Sequence, residues 1–300
     1  MSIKKSPAYK QIGLLMALLL LSASGAISEA AKENPGEAAK KELRIVFIAY
    51  QNPDRLADDV RPVVQYLEKY LDRKVKQFVS TNYAGIVEAL RSGTADVGFM
   101  GPLQYIIAHD QAGAKAILGE VYGDSPTYVS KIFVRKDSGL KTLADLKGKT
   151  IAFTDPISSS GYLYPLDLFK SEGLLRGPPE KYFRRIYFAG GDEQAIRAVY
   201  NGFVDSAGIG QFAYNLLRAE ERDEVVFIGE SKRLPSHCIV VRRGLSDEDV
   251  AKLKNVFLAL NEGSHKDLLK MLYGVDGYVE VSHEDYLQVE EIARAHGFFD

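Results

Sequence analysis

The sequence predicts a two-lobed α/β fold, on two observations. Strand-like apolar runs alternate with helix-like runs from Leu43 onward, and the same alternation starts again after Lys149. The second passage also repeats the first at an offset of 109 residues: Ala89, Gly93, Asp96, Gly101 and Tyr105 match Ala198, Gly202, Asp205, Gly210 and Tyr214. Each copy reads helix, Gly, Asp, short apolar strand, Gly, helix. Repetition on this scale marks two similar units, here two Rossmann-like lobes.

The elements follow in chain order. LRIVFIAY at 43–50 and VKQFV at 75–79 read as strands, with a helical pattern through VRPVVQYLEKYL between them and a further helix from Ala84. In the second half TIAFT, RIYFA and VDSAGIG read as strands, with helices from about Gly161 and from Gln194. The amphipathic stretches Ser246–Leu260, His265–Tyr273 and Ser282–Ala295 read as helices that complete the first lobe. Two extended segments carry the crossings: VSKIFVR at 129–135 leads into the second lobe, and CIVVRR at 238–243 returns to the first. Lobe one is thus expected at 43–128 and 232–300, and lobe two at 129–231. Two crossings make a hinge, and a ligand would sit between the lobes.

The first forty-odd residues stand apart from this pattern. Lys4, Lys5 and Lys10 precede the apolar run Ile12–Leu21, and small residues follow through Ala26, which is the layout of a secretory signal peptide over residues 1–26 with cleavage after Ala26 or Ala30. The run is too short for a membrane-spanning helix, which needs about 20 apolar residues. Residues 27–42, polar and carrying Pro35 and Gly36, read as a flexible leader. No cysteine lies near the cleavage region, so the expectation is a secreted, soluble, non-lipidated protein with no membrane insertion once the signal is removed. Cys238 is the only cysteine among 300 residues, which excludes an internal disulfide and any metal site built on cysteine pairs. A formal charge of −2, from 38 basic and 40 acidic residues, gives no reason to expect nucleic acid as a partner, so an anion site has to be local.

In open α/β sheets ligands collect beyond the carboxyl ends of the strands, where helix N-termini present free N–H groups. Three helix starts qualify. Ser158-Ser159-Ser160-Gly161, after TIAFT and the Asp155-Pro156 turn, offers three hydroxyls where capping needs one, a charge-neutral cradle for an oxyanion. Gly161 would let a ligand approach the backbone closely. Tyr83, after Thr81-Asn82, stands at a helix entrance with a phenolic donor, and Tyr128 stands at the first crossing; core packing competes with binding for both. Gly190-Gly191-Asp192-Glu193 is acidic, which suits a helix N-terminus but repels an anion. Lys181, Arg184 and Arg185 read as a solvated edge. The chain carries no G-x-S-x-G, H-E-x-x-H or G-x-x-x-x-G-K-[ST] motif, and its five histidines do not pair at metal-ligand spacing, so no catalytic residue, cofactor or metal is expected.

At TNYAGIVEALRSGTADVGFMGPLQY, at SKIFVRKDSGLKTLADLKGKTIAFTDPISSSGYLYP, at AGGDEQAIRAVYNGFVDSA and at LPSHCIVVRRGL, the chain resembles the phosphate, phosphite and phosphonate periplasmic binding proteins of ABC importers. The resemblance implies a type II periplasmic binding fold, a small phosphorus oxyanion as ligand, an ABC transporter permease as partner, a monomer, and no enzymatic activity. It carries Ser158, Ser159, Ser160, Tyr83 and Tyr128 over as ligand residues. Two positions depart from the family's pattern: where it reads G-G-S-H-E-A with the histidine on the ligand, this chain has GGDEQA and Glu193, and where it reads I-P-x-D-P with the aspartate on the ligand, this chain has LPSHC and His237. The departures look reciprocal, placing Glu193 as an acceptor for a protonated oxygen or amine and His237 as a donor that binds best when protonated. Cys238, beside His237, keeps open an arsenite or other oxyanion sensor working with a membrane histidine kinase, although strand alternation puts the two side chains on opposite faces. An enzyme on the same fold is the remaining alternative.

Overall fold

A computed structural model describes residues 42–49 and 53–299, which pack as one compact unit. The stretches expected as signal peptide and, but for its last residue, as flexible leader lie outside the described residues. The strands are β1 (Leu43–Ile48), β2 (Val75–Ser80), β3 (Val97–Met100), β4 (Lys115–Val121), β5 (Thr127–Tyr128), β6 (Ser130–Arg135), β7 (Thr150–Phe153), β8 (Arg185–Phe188), β9 (Ser206–Gly210), β10 (Val225–Glu230), β11 (Leu234–Pro235), β12 (Cys238–Val241) and β13 (Gly277–Glu280). The α-helices among the described residues are α1 (Pro53–Asp59), α2 (Arg61–Leu71), α3 (Tyr83–Arg91), α4 (Pro102–Ala112), α5 (Tyr164–Ser171), α6 (Asp192–Tyr200), α7 (Ala219–Arg222), α8 (Asp247–Leu258) and α9 (Leu287–Ala295).

Two large sheets result, in the orders β13-β4-β12-β3-β1-β2 and β10-β6-β9-β7-β8, with β11 and β5 pairing as a separate two-stranded ladder. Without its edge strand β13, the first has the same layout as the second. In each, a central strand is flanked by two parallel partners, and the next neighbour runs antiparallel. That antiparallel neighbour is in both cases the first long strand after a crossing, β12 in lobe one and β6 in lobe two. Within the segments 129–135 and 238–243, β6 and β12 are therefore interior strands and not the hinge itself. The hinge is the short antiparallel ladder just before them, Leu234 against Tyr128 and Pro235 against Thr127.

The repeat is structural at matching positions. Shifted by 109 residues, Tyr83–Arg91 becomes Asp192–Tyr200, the bounds of α3 and α6. The matched aspartates do the same work. Asp96 accepts from the Arg44 backbone N–H at the start of β1 (2.9 Å), and Asp205 accepts from the Thr150 N–H at the start of β7 (2.7 Å). Each thereby satisfies a donor that the neighbouring strand leaves unpaired. Both carboxylates sit below their usual pKa despite burial, Asp96 held down by Arg44 and Arg242 and Asp205 by its bonds to Thr150.

The cores of the two lobes are built on either face of these sheets. Phe47 and Phe99 stack in one, and Phe133 packs with Ile209 and Val199 in the other. Lys181, Arg184 and Arg185 are exposed, Arg185 on the edge strand β8 and the other two just before it, as expected. Two elements differ from expectation. The stretch expected as a helix at His265–Tyr273 is a 3-10 helix over Gly263–Met271, followed by the positive-φ residues Tyr273 and Gly274. The stretch at Ser282 begins with a 3-10 turn before α9. No helix among the described residues is long and apolar enough to cross a membrane.

Candidate functional site

Four helix or turn starts and the hinge converge on one buried pocket, lined by Tyr83, Gly101, Gln104, Tyr128, Ser158, Ser159, Ser160, Asp192 and His237. From lobe one come Tyr83, first residue of α3, and Gly101, the N-cap of α4. Asn82 caps α3, its side chain accepting from the Ala84 N–H at 2.8 Å, and this fixes where Tyr83 enters the helix. Gln104 closes the α4 cap by accepting from the Gly101 N–H and donating to the Tyr83 carbonyl. From lobe two come the serine loop and Asp192, first residue of α6. Tyr128 and His237 come from the hinge, their rings stacked at 5.4 Å. The sequence-predicted residues Tyr83, Tyr128, Ser158, Ser159, Ser160 and His237 thus share one wall, and all but His237 are nearly inaccessible.

The serine loop divides its labour. Ser158 caps the following π-helical turn, accepting from the Gly161 N–H at 3.0 Å. Ser159 reaches across the cleft and accepts from the Leu103 N–H at the start of α4, 2.7 Å away. Ser160 faces the Tyr128 hydroxyl and Ser158 the Tyr83 hydroxyl. Gly161 serves a purpose other than the expected approach to a ligand: a Cβ there would lie 2.1 Å from the Thr154 Oγ1, so glycine is what lets the loop fold against the end of β7. Gly101 and Gly210, matched in the repeat, keep both rims of the pocket bare; a Cβ on Gly210 would meet the Ser160 hydroxyl at 3.1 Å.

The acidic residue of the site is Asp192, and the expectation for Glu193 is corrected. Glu193 lies one position further along α6, which turns it away along the helix, and it pairs with Arg197 one turn on at 2.9 Å. The repeat carried the signal, since the offset of 109 takes Tyr83 to Asp192. Asp192 accepts from the Thr154 hydroxyl at 2.7 Å, and burial holds its carboxyl above the usual range. His237 faces the pocket as expected, but not as a cation: burial pushes its imidazole down to about 4, so it is neutral near pH 7. Behind it Glu120 lies 3.6 Å from the Nδ1, pushed up to about 8 by burial, with the Tyr122 hydroxyl donating to it at 2.8 Å. The protonated donor expected at His237 is therefore a neutral imidazole before an anion enters. Burial also raises both phenols, Tyr83 and Tyr128.

No lysine or arginine is among the described residues lining the pocket. Its donors are neutral hydroxyls, N–H groups at the starts of helices and an imidazole, and one acidic side chain, Asp192, stands beside them. Cys238 points the other way, into the lobe-one core beside Met100, and its thiol is pushed well up by burial. A thiolate ligand at the pocket has no residue to supply it, which removes the basis for the arsenite-sensor alternative.

Two lobes closing a polar, lysine-free pocket over a two-strand hinge define a bilobal solute-binding protein of the periplasmic type. The chain matches the family described as "ABC transporter, phosphonate, periplasmic substrate-binding protein" over residues 45–286, and it belongs to that family. It is 31% identical over 231 residues to the phosphonates-binding periplasmic protein of Escherichia coli K12, covering 74% of this chain and 67% of that one. It is 27% identical over 253 residues to the phosphate-import protein PhnD of Mycolicibacterium smegmatis, covering 81% and 78%. Among solved structures, the binding-protein component of an ABC phosphonate transporter from Pseudomonas aeruginosa superposes with a TM-score of 0.76 at 25% identity, over 84% of this chain and 85% of that one. The PhnD1 protein of Prochlorococcus marinus in complex with methylphosphonate, at 22% identity, shares the fold with a TM-score of 0.77 over 87% and 100%.

Proposed function

We propose that this protein captures a small phosphorus oxyanion, a phosphonate, phosphite or phosphate, between its lobes and delivers it to the permease of an ABC importer, without catalysing a reaction. The observation that carries this reading is the convergence of Tyr83, Tyr128 and the Ser158–Ser160 hydroxyls on one pocket without a lysine or arginine. Hydroxyls and helix-start N–H groups neutralise a tetrahedral anion by many short hydrogen bonds, each stronger for the charge it meets. Membership of a family of transport substrate-binding proteins supports the role, as does a relative of the same fold that holds methylphosphonate.

The proposal extends to the chain's organisation. Lobe one takes 43–128 and 232–300, and lobe two 129–231. Residues 1–26 act as a signal peptide, and the mature protein is a soluble, non-lipidated periplasmic monomer. Calorimetry with phosphite, phosphate, methylphosphonate, 2-aminoethylphosphonate and sulfate tests the ligand assignment, with Ser160→Ala as the site probe. We expect at least one phosphorus oxyanion to bind and Ser160→Ala to weaken it by about 1 to 3 kcal/mol, the range for a hydrogen bond to a charged group. No binding by any phosphorus oxyanion would sink the reading.

A further inference from the structure

The oxyanion pocket has about 10 Å³ of open space, enough for one water, so a tetrahedral head must part the lobes to enter it; Asp192 and His237 also line a second, half-open chamber of about 270 Å³. The wall that the two share at His237 continues as a row of aromatic rings. Tyr122 packs on Phe212 at 4.4 Å, Phe212 on Tyr128 at 6.1 Å, and Tyr128 on His237 at 5.4 Å. Beyond this row the chamber wall adds Leu216, Met271 and Tyr273. Its charged residues are engaged with each other or with neighbours, Arg55 with Asp59 and Lys270 with Asp276. The surface left to a guest is therefore mainly ring faces and aliphatic side chains. An apolar cavity of about 150 Å³ already accepts benzene, so the chamber has room for a ring.

We propose that the preferred ligand is a tetrahedral phosphorus head carrying a bulky hydrophobic substituent, an organophosphonate or a phosphate monoester, with the head in the serine and tyrosine cradle and the substituent in this chamber. The inference rests on the oxyanion reading above and specifies its substrate class. A tetrahedral head turns three oxygens toward the cradle and Asp192 and sends its fourth substituent out past His237. A charged oxygen at that outer corner would face ring surfaces with no donor, whereas a carbon or an ester oxygen bearing a ring packs on the stacked aromatic edge.

The test is calorimetric titration of the full mature protein with four ligands: methylphosphonate, phenylphosphonate, inorganic phosphate and phenyl phosphate. Each phenyl compound is expected to bind about tenfold or more tighter than its small counterpart, the scale for burying a ring. The stronger of the two phenyl arms identifies a phosphonate or an ester as the source. Leu216→Trp, which fills the chamber, should collapse that ratio toward one, and Met271→Trp, at a more exposed wall position, repeats the test if the first variant folds poorly. If methylphosphonate or phosphate binds and the phenyl compounds bind no better, the chamber assignment is overturned while the oxyanion reading stands. If none of the four binds, both fall.

Discussion

Replacing Asp192 with Asn probes the one charged group facing the oxyanion. The substitution keeps an acceptor for the Thr154 hydroxyl and removes only the charge. Across about 5 Å at an effective dielectric of about 20, an ionised carboxylate and a second negative charge repel by roughly 3 kcal/mol, more than a hundredfold in affinity. A shared proton replaces that repulsion with a charge-assisted hydrogen bond of about 1.5 to 3 kcal/mol. The wild-type complex should therefore hold one proton between Asp192 and the ligand, which titrate as a pair. A phosphate monoester loses its second proton near pH 6 in solution, so binding at about pH 8 must take a proton up. The sign follows: wild-type affinity falls as pH rises above the ligand's second ionisation. The other titratable groups lining the pocket keep one state there, since burial raises Tyr83 and Tyr128 and lowers His237 to about 4. Calorimetry in two buffers of different ionisation enthalpy counts the proton. We expect uptake approaching one for the wild type and near zero for Asp192→Asn, with the variant favouring the dianion. Glu193→Gln, which alters only the pairing with Arg197, should leave affinity within about twofold. Equal proton uptake in wild type and Asp192→Asn would refute the reasoning.

Three further outcomes follow from the same geometry. Glu120 holds its proton up to about 8 in the folded protein against 4.5 in an unfolded chain, which lowers stability as pH rises over that window, while His237, at about 4 against 6.5, raises it between those values. The two oppose each other where they overlap, leaving a fall in stability as pH rises above about 6.5 toward 8 that Glu120→Gln should abolish in urea titrations. Gly161→Ala drives a methyl into Thr154 and should cost about 1 to 3 kcal/mol of stability, with ligand affinity falling alongside because the serine loop shifts; a fully stable variant with intact affinity would contradict the packing. Ser159→Ala removes the bond to the Leu103 N–H across the cleft, worth about 1 kcal/mol, and should shift the ligand-free protein toward a larger radius of gyration in small-angle scattering; an unchanged radius would show that the bond does not hold the lobes together.

The sequence announced the fold because the repeat has a physical cause. The aspartate that ties down a neighbouring strand and the glycine that must stay bare at the pocket rim recur in both lobes at the same spacing. The serine loop was legible because three hydroxyls exceed what capping uses. Other features were not. Which of two adjacent acids faces the cleft depends on rotation about the helix axis at its first turn, and motif alignment put Glu193 where the 109-residue offset puts Asp192. The charge state of His237 depends on burial by residues distant in sequence, Glu120 and Tyr122 among them. Strands β4, β10 and β13 lack a clear alternating pattern because each is placed by its partner across the sheet.

The β5–β11 ladder also acts as a pivot, and distance from a pivot is a lever arm. Tyr128 belongs to the ladder and His237 lies two residues beyond it, so a rotation of the lobes displaces them least. The serine loop and Tyr83 ride on opposite lobes, so the same rotation brings them toward each other. Discrimination exercised by Tyr128 and His237 is therefore already in place when the jaws stand apart. The swinging residues add grip only to a guest that the pivot has accepted.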